Sequence, residues 1–151
     1  MKQILGFILG ALLLIGATFG ITYSVMTANN KKVDEDISTV SVSYFKDSYD
    51  KGTTNAIIRV VVFSDVKLVS CKYSIDNAEA KAFAIETGEA DEHENYNGKG
   101  RYYLDTEIQV LDLSAVTVGD HFFQIKCFDE AENQYKVATL IFEIIEAEQV
   151  A

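Results

Sequence analysis

The sequence predicts an all-β chain: a single antiparallel β-sandwich of about seven strands behind one N-terminal transmembrane α-helix. Two observations carry this. An uncharged apolar run of 23 residues, Ile4 to Met26, opens the chain, and beyond residue 38 the apolar residues recur with a period of two. No segment after the apolar run sustains a 3.6-residue repeat. At 151 residues the chain is the size of one ordinary domain.

As a helix the apolar run extends about 34 Å, enough to cross a hydrocarbon core of about 30 Å. The alternative is a cleaved signal segment, which shares the basic start at Lys2 but calls for a better small-residue site than Met26-Thr27-Ala28. Gly6, Gly10, Gly16, Ala17, Gly20 and Ser24 fall on one arc of such a helix and include two GxxxG spacings. Small residues there would let a second helix pack closely. The organisation read from this is an anchor or signal segment over 1–28, a polar tether over 29–38, a β-sandwich domain over 39–146 and a tail over 147–151. Charge does not orient the anchor, because Lys2 and the α-amine stand against Lys31 and Lys32.

The strands follow in order. Val40, Val42 and Tyr44 alternate with serines. Ile58, Val60 and Val62 alternate around Arg59, and Val69, Cys71, Tyr73 and Ile75 alternate with Ser70, Lys72 and Ser74. Ala82 to Ile85, Tyr102 to Leu111, Phe123 to Cys127 and Tyr135 to Ile145 complete the set. Turn signals separate them at Asp50-Lys51-Gly52, Asp76-Asn77, Asn97-Gly98-Lys99-Gly100, Val118-Gly119-Asp120 and Glu132-Asn133. Short strands at this spacing are the signature of a sandwich.

Beyond residue 32 the chain holds ten Lys and Arg against 23 Asp and Glu, a net charge of −13. A nucleic-acid partner is excluded on that balance, because phosphate binding requires a basic face. Cys71 and Cys127 lie on the inward phase of their strands, 56 positions apart. Two readings stay open: a disulfide stabilising by about 4 kcal/mol on the loop-entropy model, which needs an oxidising compartment, or two reduced thiols acting as small apolar residues.

The stretch Leu111-Asp112-Leu113-Ser114, leading through Gly119-Asp120-His121 to Phe123 and on to Asp129-Glu130-Ala131-Glu132-Asn133, resembles the end of a prokaryotic extracellular immunoglobulin-like domain. There a leucine-aspartate-leucine strand end leads to a glycine-x-histidine turn, a strand and an aspartate-x-alanine-glycine-asparagine hairpin. Tyr73-Ser74-Ile75-Asp76-Asn77 is similar to an earlier turn of the same domains. The resemblance spans Thr39 to Ile145 and implies an adhesive, spacer or protein-binding module at a cell surface. Glu132 stands where the family carries glycine, so the last hairpin is expected to be longer or differently turned.

Catalytic groups are sparse and no enzyme activity is expected. Of the two histidines, His121 is expected to cap the turn it occupies. His93 lies in the acidic run Glu86 to Asn95, where Asp91, Glu92 and Glu94 are candidate ligands for calcium, a hard cation that takes oxygen donors. The alternative for this run is a solvated loop, and no other cofactor is expected. Tyr96, Tyr102, Tyr103 and Phe122 are candidate interface aromatics, the alternative being a sheet face covered by a loop. The chain is thus expected to be a single-pass membrane protein with its domain extracytoplasmic or at the cell surface, bound to protein partners or to itself and to no small-molecule substrate. Alternatives are a pilin-like filament subunit and an accessory subunit of a membrane complex.

Overall fold

The structure, a computed structural model, describes residues 21–23 and 36–148. They form eleven strands: β1 (Ile21–Tyr23), β2 (Ile37–Ser43), β3 (Ser48–Asp50), β4 (Ala56–Ser64), β5 (Leu68–Ile75), β6 (Lys81–Ala82), β7 (Glu86–Glu89), β8 (Tyr102–Asp105), β9 (Gln109–Leu111), β10 (Gly119–Asp129) and β11 (Gln134–Ile145). A single 3₁₀ turn, Ala90–Glu92, follows β7. The described chain is all-β.

Two sheets share one core. The first has the order β1-β2-β4-β8-β7, with β9 pairing β4 beyond the end of β8, and it curls into a half-barrel. The second has the order β3-β11-β10-β5-β6, antiparallel except for β3, which runs parallel to β11. Alternation decides which side chains meet between them. Val40 and Val42 of β2, Ile58, Val60 and Val62 of β4 and Leu104 of β8 face Cys71 of β5, Phe123, Ile125 and Cys127 of β10 and Val137, Phe142 and Ile144 of β11. Phe45 closes one end of this core, its ring 4.8 Å from that of Phe123 and 5.4 Å from that of Phe142.

Several expectations change. The helix expected over Ile4 to Met26 does not extend over Ile21–Tyr23, which pair as β1 with the edge of β2, Ile21 opposite Val42 and Tyr23 opposite Val40. β-Branched and aromatic residues beside a free sheet edge favour that pairing. The rest of the expected anchor, including Gly6, Gly10, Gly16, Ala17, Gly20 and Ser24, lies outside the described residues. Among the described residues no helix is long and apolar enough to cross a membrane. The first domain strand begins at Ile37, inside the expected tether. Of the strand expected over Ala82 to Ile85 only Ala82 is in a strand, as the end of β6, and β7 forms instead within the acidic run.

The strand expected over Tyr102 to Leu111 is broken in two by a β-bulge. Asp105 lies opposite Val61 and Gln109 opposite Ile58, so three residues, 106–108, face two of β4. Thr106 bridges the break: its amide donates to the Val60 carbonyl at 3.0 Å, and its Oγ1 accepts from the Val60 amide at 2.8 Å. Both backbone groups of the buried Val60 are thereby satisfied.

Candidate functional site

Outward-facing residues of β4 alternate with its core residues, and they build a second, smaller cluster on the far side of the first sheet. Val61 and Phe63 of β4, Tyr103 of β8 and Ala90 are buried there. The segment Ala90 to Tyr96 lies over them, with the His93 ring centroid 4.7 Å from Tyr103 and 5.5 Å from Phe63. Gly88 on β7 permits this closeness, since a Cβ there would stand 2.7 Å from the Tyr103 ring. Gly100 does the same for the returning chain: its φ is +85° and a Cβ would meet the Ser64 amide nitrogen at 2.9 Å.

A charged network ties this covering segment to the bulge. Asp105, 1 % exposed, accepts from Arg59 Nε at 3.1 Å and Arg59 Nη2 at 2.6 Å, a two-point contact. It also accepts from His93 Nε2 at 2.8 Å and from the Glu107 amide at 2.8 Å. His93 Nδ1 accepts from the Asn95 amide at 3.1 Å, so the ring carries its proton on Nε2. Burial works against the charge on Asp105, but the bonds from Arg59, His93 and Glu107 outweigh it and hold its carboxyl below the usual carboxylate range.

The bond from Glu107 has a local consequence. Glu107 has a φ of +54°, a left-handed conformation that non-glycine residues rarely adopt, and Asp105 holds it there. The chain emerging from this bend presents Ile108 and Val110 outward, 54 % and 67 % exposed, and Val110 stands directly opposite Ile57 of β4, 37 % exposed. Beside this apolar ledge lie Arg59 and Glu94, whose charged groups are 3.4 Å apart. The ledge is thus an exposed apolar patch with one charged pair beside it.

The calcium candidates Asp91, Glu92 and Glu94 do not converge. Asp91 and Glu92 are exposed in the 3₁₀ turn and Glu94 is directed to Arg59. Among the described residues no three of His, Cys, Asp or Glu are grouped as metal ligands. The acidic run is not a free solvated loop either, because His93 and Ala90 pin it to the sheet. Of the candidate interface aromatics, Tyr103 is buried beneath this segment, Tyr96 packs on Phe63 at 5.7 Å while remaining partly exposed, Tyr102 is half-buried, and Phe122 is exposed on the other sheet.

The two turn motifs singled out in the sequence meet. Asp76 Oδ2 lies 2.5 Å from His121 Nδ1, and Asp76 Oδ1 accepts from the Phe122 amide at 2.9 Å. His121 Nε2 donates to the Thr117 carbonyl at 2.6 Å, closing the turn. With an acceptor at each ring nitrogen the doubly protonated ring is favoured. Burial opposes that charge, but Asp76 and Thr117 outweigh it and raise the His121 pKa above its ordinary value.

Cys71 and Cys127, the disulfide candidates, are directly opposite each other on β5 and β10, both buried against the core and without a bond between them in this structure. A hydrogen bond from Cys71 and burial together push the Cys127 thiol well up. In the last hairpin, Glu132 adopts a φ of +63°, so the turn keeps the left-handed conformation that glycine would favour and is not lengthened. Asp129 organises it: Oδ1 accepts from the amides of Ala131 and Asn133, and Oδ2 from the Asn133 side chain and the Tyr135 hydroxyl, all at 2.9 Å.

No family model and no curated protein matches this chain. Among solved structures it is similar to an endo-β-1,4-mannanase from Thermotoga petrophila, at 16 % identity and a TM-score of 0.46, over 73 % of this chain and 20 % of that one. The chain thus spans about a fifth of that protein's length. The expectation that the chain has no enzyme activity is corrected here: a similar structure belongs to an enzyme, and the exclusion is withdrawn. At that TM-score the likeness assigns no activity.

Proposed function

We propose that the chain is a membrane-anchored, extracytoplasmic immunoglobulin-like module that binds protein partners, and that the ledge of Ile57, Ile108 and Val110 is its contact surface. The observation that carries the reading is the bulge. A one-residue insertion and a left-handed Glu107, held by the buried Arg59–Asp105–His93 network, turn two large apolar side chains toward solvent. A fold left to minimise its exposed apolar area would not hold them there, and bulges that re-aim side chains cluster at functional sites. The immunoglobulin-like reading is supported by two sheets sharing one core and by the meeting of the Asp76 and His121 turns.

Two measurements test it. Ile108→Asp with Val110→Asp, on the native host's full chain, is expected to lose a partner retained on gentle solubilisation. Stability should change by no more than about 0.5 kcal/mol, as for surface changes generally. Retention of the same partners by the variant would overturn the ledge as the contact surface. For location, a cysteine introduced at the exposed Glu130 should react with a membrane-impermeant reagent on intact cells, and protection until the cells are broken would overturn the extracytoplasmic placement.

A further inference from the structure

The outer face of the second sheet carries a row of like charges. Lys72 of β5 lies directly opposite Lys126 of β10, and Lys126 directly opposite Lys136 of β11. All three point away from the core, since their neighbours Cys71, Cys127 and Tyr135 point into it. Neighbouring strands lie about 4.8 Å apart, so the three side chains rise from one line about 10 Å long. Like charges directly opposite one another destabilise a sheet. In a soluble part with only ten Lys and Arg, three are spent on this row. Among the described residues none of the three is in an ion pair, and Lys72 Nζ lies instead 5.2 Å from the centre of the Phe128 ring. The surrounding outward residues Ser70, Ser74, Gln124, Gln134 and Thr139 are uncharged.

The opposite broad face carries a run of acids, with Lys99 and Arg101 exposed beside it. The segment covering the outer side of the first sheet exposes Glu89, Asp91 and Glu92. The lysine row and this acidic segment therefore lie on opposite broad faces of the domain. We infer that copies of this chain stack face to face, the lysine row of one copy seated on the Glu89–Glu92 segment of the next. Complementary charge selects this occupant, because the acidic surface that the row needs is present on the chain itself. Such a contact is heterologous, so it repeats into an open stack unless its rotation closes a ring. The inference rests on the reading of the chain as an interaction module and names one of its partners as itself.

The test is sedimentation of the full chain in mild detergent at about 0.05 M and about 0.5 M salt. The wild type is expected to associate at low salt and dissociate at high salt. Lys126→Gln, which relieves the repulsion and should fold at least as well, is expected to weaken association about tenfold. Lys72→Glu/Lys126→Glu/Lys136→Glu should be monomeric alone, as should Glu89→Lys/Asp91→Lys/Glu92→Lys, while their mixture re-associates. A wild type that stays monomeric at both salts, or a mixture that does not re-associate, overturns the inference. Either result, with the partner still held through Ile108 and Val110, leaves the proposed function standing.

Discussion

His93 and His121 each donate to an aspartate, yet the two pairs are built for different ends. Around His93 one carboxylate is buried, and four donor atoms from three separate segments converge on it: β4 through Arg59, the covering segment through His93, and the bulge through Glu107. Around His121 the carboxylate of Asp76 is 45 % exposed and serves two neighbouring positions of one strand start. The first pair ties a covering segment that has no ladder of its own to β8 and the bulge, which are already laddered to β4; the second finishes a turn that the ladder already brackets. The difference teaches where removal should be costly. A buried ionised acceptor leaves its donors stranded when lost, whereas an exposed one is replaced by water.

The sharpest way to break the comparison is at the acids. Asp105→Ala should cost roughly 3–5 kcal/mol in denaturant unfolding, because Arg59 and His93 lose their shared acceptor. Asp76→Asn keeps a side chain that tolerates the φ of +52° there and should cost only about 1 kcal/mol. Equal losses would show that burial does not separate the two sites.

Next in size is the pH dependence of the His121 pair. The folded-state pKa of His121 is raised from 6.5, so its contribution is complete below 6.5 and is lost as pH rises through the folded value. Asp76 is lowered from 3.8, despite the opposing effect of its burial, through bonds from His121 and the Phe122 amide. Its contribution is present above 3.8 and is lost as pH falls through the folded value. The stability difference between wild type and His121→Gln should therefore be largest between about pH 4 and 6.5 and shrink at higher pH. A difference that grows with pH would reverse the assignment. Nitrogen-15 spectra sharpen the same contrast, with His93 expected to show a protonated Nε2 and an unprotonated, hydrogen-bonded Nδ1.

The smallest effect lies at the last hairpin. Glu132→Gly relieves a left-handed non-glycine residue and should raise stability by about 0.5 kcal/mol, after allowing for the extra freedom of glycine in the unfolded chain. A loss in thermal unfolding would mean that the Glu132 side chain stabilises the turn.

Alternation made the long strands legible. Ile58, Val60 and Val62 announced β4, and Phe123, Ile125 and Cys127 announced β10, because one face of each is fully buried. What could not be read were the places where period two fails. The extra residue at 106–108 splits one expected strand into β8 and β9, and no turn signal marks it, since Thr106 and Glu107 are ordinary strand-interior residues by composition. The network at Asp105 was missed for a related reason: its members come from positions 59, 93 and 105, and no spacing links them. A signal existed, however, in Arg59 and Asp105 each standing on the outward phase of an otherwise apolar strand. The lysine row is also register information, visible only once β5, β10 and β11 are aligned.

The knot of bonds at Asp129 has a bearing on the order in which the chain assembles. It closes a five-residue turn between the two longest strands, so the β10–β11 hairpin involves the least loop closure of any extended pairing in the molecule. Docking β5 onto that hairpin must then draw in residues more than 40 positions upstream, from Ile75 opposite Phe123 to Leu68 opposite Asp129. A nucleus at the C-terminal end, followed by slower recruitment of the strands before it, is the folding sequence this topology favours. A chain emerging from the ribosome would hold β3 and β5 without their hairpin partners until β10 and β11 arrive, while β2 and β4 can already pair with each other.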